Sequence, residues 1–147
     1  MTVSSILGMR LNRYLDRLDE SGMNLLVFSG GEVVFSSDEK GIAPLLEAVE
    51  VIGGEGLGDL VTADRIVGRA AVLLNVYLGA REVHAVLISA GAKGLLLERG
   101  IPFEFREETD AIKMRDGVIF CPFERLVQGV SDPVEAYDRI RAKMAEL

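Results

Sequence analysis

Ala70-Ala71-Val72-Leu73-Leu74-Asn75-Val76-Tyr77-Leu78, closed by Gly79 and followed by Val83-His84-Ala85-Val86-Leu87-Ile88, decides the fold. The first run carries apolar residues nearly all round a helix, and such a helix is buried on most sides. Gly79 stops it. The second run is apolar on both faces, with Ala85 and Leu87 on one and Val86 and Ile88 on the other. That pattern belongs to an interior strand. A buried helix feeding an interior strand is the unit of a layered α/β protein.

Toward the N-terminus, Asp59 to Thr62 reads as a strand, and Asp64 reads as the N-cap of a helix running from Arg65 to about Leu78. Pro44 fits the first turn of another helix, which Gly53-Gly54 ends. Asn24 to Phe28 and Glu32 to Phe35 flank Ser29-Gly30-Gly31 as a β-hairpin. Leu7, Leu11, Tyr14, Leu15 and Leu18 give a first helix, opened after Ser4-Ser5 and closed by Gly22. Toward the C-terminus, Ala92 to Glu98 is helical and Phe103 and Phe105 alternate with charges along a strand. Asp116-Gly117 signals a hairpin between Ile112–Met114 and Val118–Phe120. Pro122 opens a short helix, and Asp132-Pro133-Val134-Glu135 starts the last one. The expectation is one domain over residues 1–147, with a helical C-terminal segment from about 122. It is a three-layer α/β fold: a mostly parallel mixed sheet, an antiparallel hairpin at its edge and helices on both faces.

With 147 residues, 49% of them hydrophobic and 27% charged, the chain can bury a real core. One Cys excludes an intrachain disulfide and suits a reducing, cytoplasmic location. No basic-then-apolar leader opens the sequence. The longest apolar run, Ala70 to Leu78, is far short of the roughly 20 residues of a membrane span. A net charge of −7, mixed along the chain, argues against binding a nucleic-acid polymer.

Three segments carry a resemblance. Val34-Phe35-Ser36-Ser37 with Gly41-Ile42-Ala43-Pro44-Leu45, then Asp64 to Ala71, then Cys121-Pro122-Phe123-Glu124 look like a small prokaryotic family catalogued as a domain of unknown function, number 1893. The resemblance spans roughly Leu25 to Val127 and implies a cytidine-deaminase-like fold. Zinc deaminases open one helix with His or Cys and a Glu two residues on, and the next with Pro-Cys-x-x-Cys. The comparable starts here, Gly68-Arg69-Ala70 and Ser89-Ala90-Gly91-Ala92-Lys93, contain no thiol, imidazole or carboxylate. A catalytic zinc needs three protein ligands. With one His and one Cys far apart, a zinc-dependent deaminase is excluded, and no metal or cofactor is expected.

The candidate ligand site gathers Asp64, Arg65, Arg69, Ser89 and Lys93. Arg65 and Arg69, read as the first turns of one helix, are like charges where the dipole disfavours cations; a bound anion would reconcile them. The alternative is two surface arginines and an ordinary cap. Small residues from Ser89 to Gly94 allow close backbone approach, with Lys93 adding charge, although the phosphate-loop pattern is missing. Cys121 before Pro122, with Glu124 as base, is a candidate nucleophile or sulfur carrier; a buried hydrophobe is the plainer role. His84 reads as a hydrogen-bonded sheet histidine, Ser36-Ser37-Asp38 as either a plain turn or a further face of the same edge, Arg106 to Asp110 as a solvated loop, and the Val134, Tyr137, Ile140 and Met144 stripe as core. Three functions follow: a scaffold binding a small anionic ligand such as a nucleotide or phosphorylated metabolite, a Cys121-dependent enzyme, or a homo-oligomeric interaction protein.

Overall fold

A helix that is apolar all round needs neighbours on every side, and the computed structural model, which describes residues 12–112 and 121–147, supplies them. The strands are β1 (Leu25–Ser29), β2 (Glu32–Ser37), β3 (Leu60–Val67), β4 (Glu82–Ser89) and β5 (Phe103–Thr109). The helices are α1 (Arg13–Ser21), α2 (Ala43–Ile52), α3 (Arg69–Leu78), α4 (Ala90–Glu98), α5 (Pro122–Leu126) and α6 (Pro133–Ala145). The strands form one mixed sheet in the order β2-β1-β3-β4-β5. β1 runs antiparallel to both β2 and β3, whereas β3, β4 and β5 are parallel.

The hairpin turns through Gly30 and Gly31, whose φ angles of +58° and +87° favour glycine in a two-residue loop. The pairing of Val27 with Phe35 and of Phe28 with Val33 leaves Val34 as an extra residue in β2. Such a bulge twists an edge strand away from unwanted partners.

One face of the sheet is covered by α1, where Leu15 and Leu18 pack on Leu26, Phe28, Val61 and Ala63. The other face lies under the remaining helices, with α3 at the centre in contact with α2, α4, α5 and α6. Val72, Leu73 and Leu74 are fully buried there. Each such side chain contributes about 1.5–3 kcal/mol. No helix among the described residues is long and apolar enough to cross a membrane.

Some boundaries depart from expectation: β5 runs on to Thr109, through residues read as a solvated loop. α3 begins at Arg69, not Arg65, because β3 continues through Val67. Its residues are claimed on both sides, Leu25 pairing with Asp64 and Ile66 with Leu87, so pairing holds Asp64–Val67 extended. Asp64 is therefore a strand residue rather than an N-cap, and Arg65 and Arg69 are not one turn apart on a helix. The first described helix opens at Asn12, whose side-chain oxygen accepts from the N–H groups of Tyr14 and Leu15; the start expected after Ser4-Ser5 lies outside the described residues. The hairpin expected around Asp116-Gly117 lies, apart from Ile112, outside the described residues.

Asn75, the polar residue inside the apolar run, is fully buried. Its amide oxygen accepts from the Thr62 hydroxyl at 2.7 Å and its nitrogen donates to the Ala71 carbonyl at 2.9 Å. This pair bolts α3 to β3. Urea denaturation should show Thr62→Val and Asn75→Leu each destabilising by about 1–3 kcal/mol, because each strands a buried partner. The double variant should cost clearly less than the sum, as both polar groups then leave together.

Candidate functional site

The start of α3 is buried, and its free N–H groups need acceptors. Gly68 in the N-cap position has no side chain to offer. The acceptor comes from α5: the Glu124 carboxylate receives the Arg69 N–H at 2.7 Å and the Ala70 N–H at 2.8 Å. A carboxylate at a helix N-terminus also meets the favourable end of the dipole. Burial nonetheless pushes the Glu124 carboxyl up, with the Ala70 and Arg69 N–H groups and then the Arg69 charge pulling it back.

Gly68 is extended, with φ −103°, so its need for glycine is one of space. A Cβ there would stand 2.4 Å from Glu124 Oε1. Arg69 turns its guanidinium to the same segment, with Nη2 donating to the Val130 carbonyl at 2.6 Å and Nε to that of Val127 at 3.3 Å. The helix start expected to hold a foreign anion is thus occupied by the chain's own carboxylate, and Arg69 ties down the segment that delivers it.

Arg65 faces the opposite side of the sheet. It pairs with Asp19 of α1 at 2.6 Å and donates to the carbonyls of Met23 and Leu18. Arg106 reaches the other oxygen of Asp19, also at 2.6 Å, and Asp16 at 3.2 Å. The hydrogen bond from Arg65, then that from Arg106, holds the Asp19 carboxyl below its usual range. Arg65 and Arg69 therefore serve two different faces and do not converge.

Ser89 is the buried N-cap of α4, its hydroxyl accepting from Ala92 N–H at 3.1 Å. Lys93 pairs with Glu108 at 3.0 Å and lies 5.2 Å from the Phe105 ring centre. Cys121 is half-buried at the N-cap position of α5, with its N–H on the Ile112 carbonyl. Glu124, its expected partner, accepts from α3 with both carboxylate oxygens.

His84 sits on the α1 face of the sheet. The Asn12 oxygen is engaged by the α1 cap, so its amide nitrogen faces His84 Nδ1 at 2.7 Å and also donates to Glu104 at 3.0 Å. Nδ1 must then accept, which places the ring hydrogen on Nε2, 2.6 Å from Glu82 Oε2. His84 is a hydrogen-bonded sheet histidine, as its apolar flanks predict. Among the described residues, no group of three His, Cys, Asp or Glu side chains is placed to hold a metal ion.

Asp64 remains. It is 7% exposed, near the C-terminal end of β3, in the wall of a cleft of about 250 Å³ lined by Asn24, Lys40, Gly41, Asp64, Arg65 and Ile66. Burial pushes its carboxyl up to about 7, with the N–H groups of Arg65 and Ile66, then the Arg65 charge, pulling the other way. The Asn24 amide donates to the carbonyls of Asp38 and Glu39 and so pins the loop that forms the opposite wall. Asn24, Lys40, Gly68 and Asn75 were not singled out by their sequence. Gly68, between a strand and an apolar helix, carried the one available signal.

The class these features define is an open mixed-sheet α/β protein with an internally capped central helix and a cleft at the strand ends. The chain belongs to the TM1506 family, a domain of unknown function (DUF1893), whose family model matches residues 13–144. It is similar to the crystal structure of a DUF1893 family protein, TM1506, from Thermotoga maritima. That similarity has a TM-score of 0.76 and 27% sequence identity, and covers 91% of this chain and 92% of that one. No curated protein matches the chain.

Two outcomes test this geometry. Glu124→Gln and Gly68→Ala should each lower stability by about 1–2 kcal/mol, through a weakened or displaced cap. Combined in a double-mutant cycle they should fall well short of additive, since both act on one interaction. For Asp64 the folded value lies above the unfolded one, so the folded chain holds the proton more tightly. Its contribution to stability is therefore largest below about pH 4 and is lost as pH rises through about 7. Asp64→Asn, compared with the unsubstituted chain by denaturation across pH, should be the more stable at pH 8 by about 2 kcal/mol and lose that advantage in acid.

Proposed function

We propose that this protein is a metal-free, cytidine-deaminase-like scaffold that binds a small ligand in the cleft beside Asp64. The scaffold reading is supported by the sheet: β1 opposes the other four strands in the order β2-β1-β3-β4-β5, and helices connect β3 to β4 and β4 to β5. The deaminase metal has no place in this reading. The two helix starts that would carry it hold Glu124 as an internal cap and Ser89 as an ordinary one.

One observation carries the binding reading: a buried carboxyl in the wall of a cleft at the carboxyl end of an interior strand. Open α/β sheets bind their ligands at that edge. Burying an acid there costs stability, and a site explains why the cost is kept. Lys40, exposed in the opposite wall, offers a cation for the negative group of a nucleotide or phosphorylated metabolite, while Arg65 and Arg69 are engaged elsewhere.

The test is an amide-shift screen of the isotope-labelled protein against nucleosides, nucleotides and phosphorylated metabolites. The expected result is a ligand that moves the Asn24, Gly41 and Ile66 signals together, and whose binding Lys40→Ala weakens. A screen in which ligands bind but leave those three signals still would place the site elsewhere and end this reading.

A further inference from the structure

We infer that the inner end of the cleft selects a ligand bearing two parallel N–H donors on a flat apolar body, which Asp64 receives. This rests on the cleft being the ligand site.

A carboxylate has about four acceptor positions on its two oxygens. The N–H groups of Arg65 and Ile66, the two residues that follow, stand close enough to Asp64 to favour its charged form, while the Arg65 N–H itself donates to the Asn24 carbonyl at 3.2 Å. Among the described residues no side-chain donor is paired with Asp64. Arg65, the nearest cation in sequence, is turned to Asp19, Leu18 and Met23 on the far face. Asn24, across the cleft, has its amide nitrogen committed to Asp38 and Glu39. Apart from the exposed Lys40 ammonium, the side-chain donors lining the cleft are therefore occupied, and the acceptor that remains is a buried carboxyl.

A hydrogen bond to a charged group in such a site is stronger than one in water, and a planar pair of donors matches a carboxylate in bidentate fashion. The apolar body is set by Ile66, a large hydrophobic residue that is 48% exposed in the same wall. A flat ring lying on Ile66 and turning its donor edge to Asp64 satisfies both groups at once. Amidines and the amino-imino edge of a heterocycle share this chemistry and differ in charge.

The experiment is titration calorimetry with benzamidine as the cationic probe and isocytosine as the neutral one, with benzamide and benzoate as ring-matched controls. Amide shifts of Asn24, Gly41 and Ile66 report where each binds. At least one paired-donor probe should bind and move those signals, while benzamide and benzoate do not. Binding by both probes assigns the donor edge alone, and binding by benzamidine only adds a requirement for charge. Asp64→Asn, which keeps the shape and the backbone contacts, should weaken the probe by about tenfold or more. Asp138→Asn, which removes an exposed charge on α6, should leave binding unchanged and so exclude general attraction to an acidic protein. Equal binding of benzamide and benzamidine, or full affinity in Asp64→Asn, overturns the inference. If a control ligand moves the cleft signals and the paired donors do not, the ligand class falls but the cleft stands. If no compound moves them, both fall.

Discussion

The contact between the Glu124 carboxylate and the first N–H groups of α3 is the constraint on which the rest of the structure depends. α3 is buried on nearly every side, so its N-terminus cannot be satisfied by bulk water. The acceptor must come from the chain, and it comes from 54 and 55 residues away. From that follow the glycine at position 68, which leaves room for the carboxylate, and the Arg69 clamp on Val127 and Val130. α5 and α6 then close over the central helix. A helix start already neutralised in this way has no electrostatic call for an external anion.

How much of this was legible depends on range. The all-round apolar character of residues 70–78 and the two-faced strand at 83–88 are local patterns, and they place α3 and β4 correctly. The glycine pair of the first hairpin and Asp132 at the last helix are local too, and both elements form as their residues dictate. The α3 start was misplaced because Asp64-Arg65 imitates a cap and first turn. What keeps those residues extended is pairing with β1 and β4, a tertiary effect that propensity does not contain. The same error put two arginines on one helix that actually point to opposite faces of the sheet. The role of Glu124 was beyond reach for a plainer reason: nothing near position 124 refers to position 69.

The two buried carboxyls divide the protein's chemistry between structure and recognition. Glu124 and Asp64 are both raised by burial, yet their surroundings differ. Glu124 is bidentate on two N–H groups of another element and is packed against Gly68, so every feature around it fixes it in place. Among the described donors, Asp64 has only the N–H groups of the next two residues close by, and it stands in the wall of a cleft. An acid in the first situation explains itself by what it holds together. One in the second holds little together and makes the folded state less stable at neutral pH.

The opposite face of the sheet shows why such a carboxyl is not simply a packing accident. There the charged residues are matched: Asp19 bridges Arg65 and Arg106, and Asn12 joins His84 to Glu104. α1 is fastened by these contacts to β3, β4 and β5, and the strands are held in the positions that shape the cleft behind them. A chain that satisfies its polar groups so fully on one face does not lack the means to do so on the other. Thr62 and Asn75, two residues from Asp64 along β3 and on α3, each find a side-chain hydrogen-bond partner in the same layer. The incomplete acceptor shell of Asp64 is therefore confined to one place, next to an exposed isoleucine and a loop pinned by Asn24. Ligand recognition is the physical account that uses all three features together.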